Sequence, residues 1–369
     1  MAHVDPLHPE WEERVSAKHA GKVYYYNNRT GISQWTRPLF PINGHGLQLE
    51  TSTRDVSGST HILHGSETGH VAAHYDAVKE QSRETRRQES SPDLNRLRDL
   101  NNGAKAVLIE TYVSRGADVV MDLCCGKGAD LQKYQHIGVK HVVGVDISAS
   151  NIEAAKTRAS SSSSVTKFTY LHGDVRAGIP SGVGVYNAIS MQFALHYFFD
   201  SEQVIRNVLQ RVSLALVPNG YFFGTTVDAA TVKHRATVAQ FSTRASATTG
   251  SMFGNALYGI HVPVTTLSKL SDPVAHVYNL NYEFWMEPRV NGCQEYLVSP
   301  TRMAQIGAEC GLRFARFDNL SAYLQSPEVQ EHPAFKTLCP DHVQSPSSTS
   351  RTVWDTLELY CVFVLQKLE

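Results

Sequence analysis

MDLCCGKGADL, residues 121–131, follows the apolar pair Val119-Val120 and reads as a β-strand running into a tight glycine turn. The segments downstream continue the theme. HVVGVDI (141–147), KFTYLHGDV (167–175), YNAISMQF (186–193) and GYFFGTT (220–226) read as strands, and SNIEAAKTRA (150–159) and QVIRNVLQRVSLAL (203–216) as helices between them. Repeated alternation of this kind predicts an α/β fold with a mostly parallel central sheet covered on both faces. Upstream, HVAAHYDAVKEQSRETRRQ (70–88) and LNRLRDLNNGAKAVLIETYV (94–113) are predicted helices, the second with Leu94, Leu97, Val107 and Leu108 at spacings near 3.6. The serine run 160–164 and QSPSSTSR (344–351) read as loops.

Ligands of open parallel sheets bind beyond the carboxyl ends of the strands, near the switch in strand order. Gly126 and Gly128 let the backbone approach a ligand there, and Asp146, closing the second strand, can accept hydrogen bonds from a ribose diol. A nucleoside-bearing cofactor is expected. The turn does not spell G-x-G-x-x-G, and Lys127 is followed by Gly128 where a phosphate loop needs Ser or Thr, so NAD and ATP are disfavoured. Asp122, Asp146 and Asp174 stand at three successive strand ends. Each alone reads equally well as a helix cap or turn former, and together they resemble the S-adenosylmethionine pocket of class I methyltransferases.

The 369 residues suffice for one large core and a small appendage. Apolar runs such as LYCVFVL (359–365) are far shorter than the roughly 20 residues of a membrane helix, so no membrane association is expected. Six cysteines (124, 125, 293, 310, 339, 361) form no C-x-x-C pair, and no H-E-x-x-H occurs among 17 histidines. Neither a metal nor a disulfide framework is signalled, which suits a reducing compartment. With 34 basic against 35 acidic residues, any nucleic acid must be gripped by a local site instead of a broad positive field.

LHPEWEERVSAKHAGKVYYYNNRTGISQWTRP (7–38) reads as three short antiparallel strands, with Trp11, Tyr25 and Pro38 packing on one face and Tyr24, Tyr26 and Trp35 on the other. This stretch resembles a WW domain over its full length. The resemblance implies a small all-β domain over 1–40 that docks a proline-rich peptide at Tyr24, Tyr26 and Trp35. Asn28 stands where a histidine often selects P-P-x-Y ligands, while Arg14, Ser16 and Lys18 resemble WW domains that read phosphoserine-proline. The tail of RNA polymerase II, rich in phosphorylated Ser-Pro, is the expected partner, with plain proline-rich ligands as the alternative. Residues 41–70, rich in Gly, Ser, Thr and His, read as a flexible linker.

Residues 71–369 resemble the eukaryotic mRNA cap guanine-N7 methyltransferases through HVAAHYDAV, LNRLRDLNNGAKAVLI, DLCCGKGADL, SMQFALHYFF, GYFFGTT, CQEYLV and LELYCVFVLQK, in that order. The implied fold is Rossmann-like, the cofactor S-adenosylmethionine, the substrate the GpppN end of capped RNA, and the compartment the nucleus. Carried over by position, Lys105, Asp122, Cys124, Gly126, Asp146, Asp174, Gln192 and Tyr197 line the cofactor pocket. Asn101, Lys127, Lys133, Arg158, His196, Glu295 and Tyr360 take the cap. The chemistry agrees: Lys127, Lys133 and Arg158 offer cations to a triphosphate, Tyr360 can stack on guanine, and Glu295 can accept from guanine N1–H and the amino group. No acid or base is needed; His196 and Glu295 are candidates for electrostatic roles.

Three departures stand out. Cys124 occupies the first glycine of the family's G-C-G-K-G, and a positive φ there would cost about 1–3 kcal/mol and weaken the cofactor's hold. Leu100 replaces an aromatic and Gly103 a bulky residue, which predicts looser helix packing. A thiol beside a helix N-terminus also raises the question of cysteine reactivity. A cofactor-poor adaptor, or a methyltransferase with another substrate, are the rival readings.

Overall fold

The computed structural model describes residues 11–15, 23–27, 33–34, 91–162, 164–179, 185–242, 250–270, 277–286, 290–345, 347 and 349–369. The chain divides into two units, Met1–Ser59 and Thr60–Glu369. In the first, β1 (Trp11–Val15), β2 (Val23–Asn27) and β3 (Ser33–Gln34) pair antiparallel in that order. Register sets Arg14 opposite Tyr24 and Glu12 opposite Tyr26. The Arg14 guanidinium lies 3.9 Å over the Tyr26 ring and pairs with Glu12 at 2.8 Å. Trp35, Pro38, the expected linker at 41–70 and the helix expected at 70–88 lie outside the described residues.

The second unit is built on seven strands in the order β13-β14-β8-β7-β4-β5-β6. Five adjacent strands, β4 (Val119–Leu123), β5 (His141–Asp146), β6 (Lys167–His172) at the edge, β7 (Tyr186–Gln192) and β8 (Leu216–Val227), are all mutually parallel. The last strand, β14 (Tyr360–Lys367), runs antiparallel between β8 and β13 (Leu312–Asn319). Burial on both faces explains the apolar density: Val120, Met121 and Leu123 of β4 are all fully buried. A separate four-stranded antiparallel sheet, order β12-β11-β10-β9, is formed by β9 (Ser251–Gly254), β10 (Gly259–Val262), β11 (Asn281–Met286) and β12 (Val290–Tyr296).

The helix Pro92–Tyr112 forms where the 3.6-residue spacing predicts it. Ser91 caps it by accepting from the Leu94 N–H at 3.2 Å, with Pro92 at the first position. Its apolar stripe, including Leu97, Leu100, Val107 and Leu108, is buried in the main core. Each such leucine contributes about 1.5–3 kcal/mol of burial.

Looser packing at Gly103 is not what the structure has. A Cβ there would lie 2.7 Å from both Cys339 Sγ and Phe335 Cδ2, because the helix Pro333–Leu338 crosses at this point. The Cys339 thiol then donates to the Asp99 carbonyl at 3.2 Å. Glycine is therefore the residue that lets the Phe335 ring and the Cys339 thiol lie against this helix, and a bulky side chain has no room. Gly103→Val should destabilise the fold by about 1–3 kcal/mol; an unchanged denaturant midpoint would show that the second helix does not seat on this position.

Candidate active site

From β4 the chain moves outward through β5 and β6, then returns to β7 on the other side, so strand order switches at the carboxyl end of β4. The turn leaving β4 is fastened to β5. The Cys125 N–H donates to the Val145 carbonyl at 3.0 Å and the Gly126 N–H to Asp146 Oδ2 at 2.7 Å. Left-handed backbone results at alternate residues, with φ of 57° at Cys124, 53° at Gly126 and 63° at Gly128.

The two glycines have different reasons, which corrects the single role expected of both. A Cβ on Gly126 would meet open space, whereas one on Gly128 would lie 2.8 Å from the Tyr170 hydroxyl and 3.1 Å from Ala155. Gly126 leaves room for a ligand; Gly128 lets the turn pack. Cys124 carries a penalty of about 1–2 kcal/mol for an L-residue in this region. Neither thiol is activated. Burial raises both Cys124 and Cys125 well above the ordinary thiol range, and the charges of Asp146 and Asp174 at the first and Asp122 and Asp146 at the second add to it.

The three acids lie at successive strand ends and are all buried. Asp146 is oriented by Gly126 through Oδ2 and by the Ser148 N–H (2.9 Å) and Asn151 Nδ2 (3.2 Å) through Oδ1. Asp174 Oδ1 accepts from the Arg176 N–H at 2.8 Å. Asp122 is pushed up to about 8 by burial and by the neighbouring Asp130 charge, with Lys105 and a hydrogen bond to Ser190 opposing. An open backbone at Gly126, flanked by carboxyl groups at adjacent strand ends, fits S-adenosylmethionine, whose ribose diol and α-ammonium are hydrogen-bond donors.

Sequence reasoning assigned Lys105 to cofactor and Lys133 to cap, and missed Asp130. The structure brings both ammonium groups to that one carboxylate, at 2.8 Å for Lys105 and 2.7 Å for Lys133. Burial works against the Asp130 charge, yet the two lysines outweigh it and hold its carboxyl well below the usual range. The i,i+3 spacing from Asp130 to Lys133 was the available signal. Lys133 Nζ also donates to Asn102 Oδ1 at 3.2 Å, and the neighbouring Asn101 has its Oδ1 buried without a hydrogen-bond partner among the described residues. Arg158, on the helix Ala149–Ser160, donates to the Lys127 carbonyl, which keeps these two residues together beside the turn.

A second cluster gathers on Glu295 of β12. This carboxylate is buried, with Oε2 accepting from the Tyr282 hydroxyl and Oε1 from the Tyr197 hydroxyl at 3.4 Å. His196 Nε2 stands 3.5 Å from Oε1. His196 and Tyr197 come from a single 3-10 turn, Leu195–Phe198, directly after β7, and their rings lie 4.5 Å apart. Tyr197, expected at the cofactor, thus has its hydroxyl at Glu295, the carboxylate expected at the cap. Tyr360 opens β14 and meets Phe193 edge-on at 5.0 Å and Phe284 at 6.5 Å. Gln192 sits between Ser190 and Thr225, donating to the first at 3.1 Å and accepting from the second at 3.2 Å. Tyr282 was not found from sequence, since only strand register sets it opposite Glu295.

Comparison with known proteins gives one answer. A family model described as the mRNA (guanine-N(7))-methyltransferase domain matches residues 60–368, and a WW domain model matches residues 7–38. The mRNA cap guanine-N(7) methyltransferase 1 of Oryza sativa subsp. japonica is 32% identical over 312 residues, 80% of either chain. That of Arabidopsis thaliana is 31% identical over 313 residues, again 80% of either chain. The mRNA cap guanine-N(7) methyltransferase of Saccharomyces cerevisiae is 30% identical over 227 residues, 59% of this chain and 50% of the yeast one.

The strained turn makes a prediction of its own. Cys124→Gly should tighten S-adenosylmethionine binding by up to about tenfold and Cys124→Val should weaken it by a similar factor, read by calorimetry. Equal affinities in all three proteins would mean that the backbone at 124 does not set the hold on the cofactor.

Proposed function

The chain belongs to the mRNA (guanine-N7)-methyltransferase family, whose cofactor is S-adenosylmethionine, and from that premise we propose how its residues divide the work on a GpppN-RNA end. Asp146, Asp174, Gln192 and the backbone at Cys124 and Gly126 hold the cofactor, with Lys105 and Asp122 beneath them. The cofactor supplies an electrophilic sulfonium methyl. Guanine N7 presents an unprotonated lone pair, so no side chain has to remove a proton, and in-line positioning carries most of the rate.

Glu295 accepts from guanine N1–H and the amino group. As N7 takes up the methyl, positive charge develops on the ring, and a fixed carboxylate in a water-poor pocket favours it more than the neutral base. Tyr282, Tyr197 and His196 keep that carboxylate from rotating, and Tyr360 backs the ring. Lys127, Lys133 and Arg158 face the triphosphate, with Asn101 beside them. The single observation that supports this reading most is the buried Glu295, held from two sides by phenol hydroxyls and facing an imidazole.

Labelled S-adenosylmethionine tests it. Methyl transfer is expected to GpppN-RNA and not to m7GpppN-RNA or uncapped triphosphate RNA, with Glu295→Gln lowering kcat/KM by about 100-fold or more. The φ of 57° at Cys124 favours one second reading, a cap-binding adaptor with poor turnover; cap binding without label transfer from folded protein would select it.

The WW domain, in this reading, recruits the enzyme to a phosphorylated Ser-Pro tail such as that of RNA polymerase II, which sets its workplace in the nucleus. Support comes from Arg14, which lies on the Tyr26 ring as a cation beside an aromatic ligand face. Tail peptides phosphorylated on Ser should bind more tightly than plain ones in a fluorescence titration; no preference would leave a plain proline-rich ligand instead.

A further inference from the structure

Arg176, a partly buried cation, belongs to neither the cofactor set nor the cap set. Arg176 follows β6 two residues after Asp174, and its side chain crosses to the 3-10 turn that carries His196 and Tyr197. Its Nη1 donates to Asp200 Oδ2 at 2.6 Å, its Nη2 donates to the Tyr197 carbonyl, and its Cζ lies 5.6 Å from the Phe198 ring centroid. Its own backbone is held at both ends. The N–H donates to Asp174 Oδ1 at 2.8 Å, and the carbonyl accepts from Arg211 Nη1. The Arg176–Asp200 pair is largely shielded, with 18% and 17% of the two side chains exposed.

We propose that Arg176 is a positioning residue that couples the two halves of the site, joining the cofactor-side Asp174 to the guanine-side Tyr197. Any movement of Asp174 on engaging the cofactor is carried by the Arg176 backbone to a guanidinium whose fork grips the Tyr197 carbonyl. The Tyr197 hydroxyl meets Glu295, so the same chain of contacts ends on the carboxylate that faces guanine. A planar fork is required, because one donor serves Asp200 while another serves the carbonyl. Lysine can keep the ion pair but cannot hold both acceptors in that geometry. The inference rests on the assignment of Asp174 to cofactor and Glu295 to guanine.

Coupling between sites is a measurable free energy and must be reciprocal. The full chain is titrated with GpppG in the absence and in the presence of saturating S-adenosylhomocysteine, and the ratio of the two affinities is the coupling factor. In the unaltered protein the dinucleotide should bind about fivefold or more tightly with the second ligand present. In Arg176→Lys that factor should fall toward unity, while each ligand alone binds within about twofold. A role confined to stability would move the melting temperature and leave the factor intact. Should Arg176→Lys fail to fold, Asp200→Asn removes the anchor of the guanidinium and should lower the factor too. A factor that is the same in variant and unaltered protein, or unity in the latter, overturns the inference alone. No GpppG binding by the unaltered protein overturns the functional reading and the inference with it.

Discussion

The hydrogen bond from the Gly126 N–H to the Asp146 carboxylate, 2.7 Å long, is the constraint on which the centre of the molecule rests. Where two parallel strands end side by side, the backbone leaving one of them has lost its ladder partners, and a buried N–H must find an acceptor. Asp146 provides it, and in doing so fixes how the turn leaves β4. Left-handed conformation at 124, 126 and 128 follows. Two of those positions are glycine and tolerate it; Cys124 does not, and neither does Phe193, which has a φ of 55° just after β7. The Phe193 N–H is doubly held, by the Thr225 carbonyl at 3.0 Å and its hydroxyl at 2.9 Å. Strained backbone thus stands at the ends of two neighbouring strands, secured by hydrogen bonds on each.

Charge is distributed by the same logic. Asp122 and Asp130 share a low-dielectric patch, where two ionised carboxyls are costly, and their pKa values part in opposite directions. Proximity to the lysines decides which is ionised. Asp130 holds both ammonium groups and keeps its charge, while Asp122 in β4 is driven toward the neutral acid. Lys105 and Lys133 therefore act as members of one compensated cluster and not as two bare cations.

The proposed guanine end is assembled from three distant parts of the chain. Tyr197 and Glu295 are 98 residues apart, and the latter arrives on a second sheet whose strands are inserted between β8 and β13. Tyr360 arrives on β14, and the backbone just before it is tied down by Asp228 and Asn319. The Asp228 N–H donates to the Leu359 carbonyl at 2.7 Å, and Asn319 Nδ2 donates to the Glu358 carbonyl at 2.9 Å. Under the proposed function a carboxylate and an aromatic wall must be rigid to favour charge that appears only in the transition state, which gives these ties a part in the site.

By itself, the sequence determined the α/β alternation, the strand at 119–123, the long helix ending near 112 and the three strand-end acids. Each of these is announced by local apolar density or by short-range spacing, which the neighbouring residues impose whatever the rest of the chain does. It did not determine that Cys124 is left-handed, that Gly126 faces open space while Gly128 packs under Tyr170, or that Gly103 admits Phe335 and Cys339. Nor did it reveal Asp130 between two lysines or Tyr282 on Glu295. Those were decided only by the tertiary structure, because every one of them depends on which atoms a remote segment brings within a few ångströms, and a one-dimensional pattern carries no record of that approach.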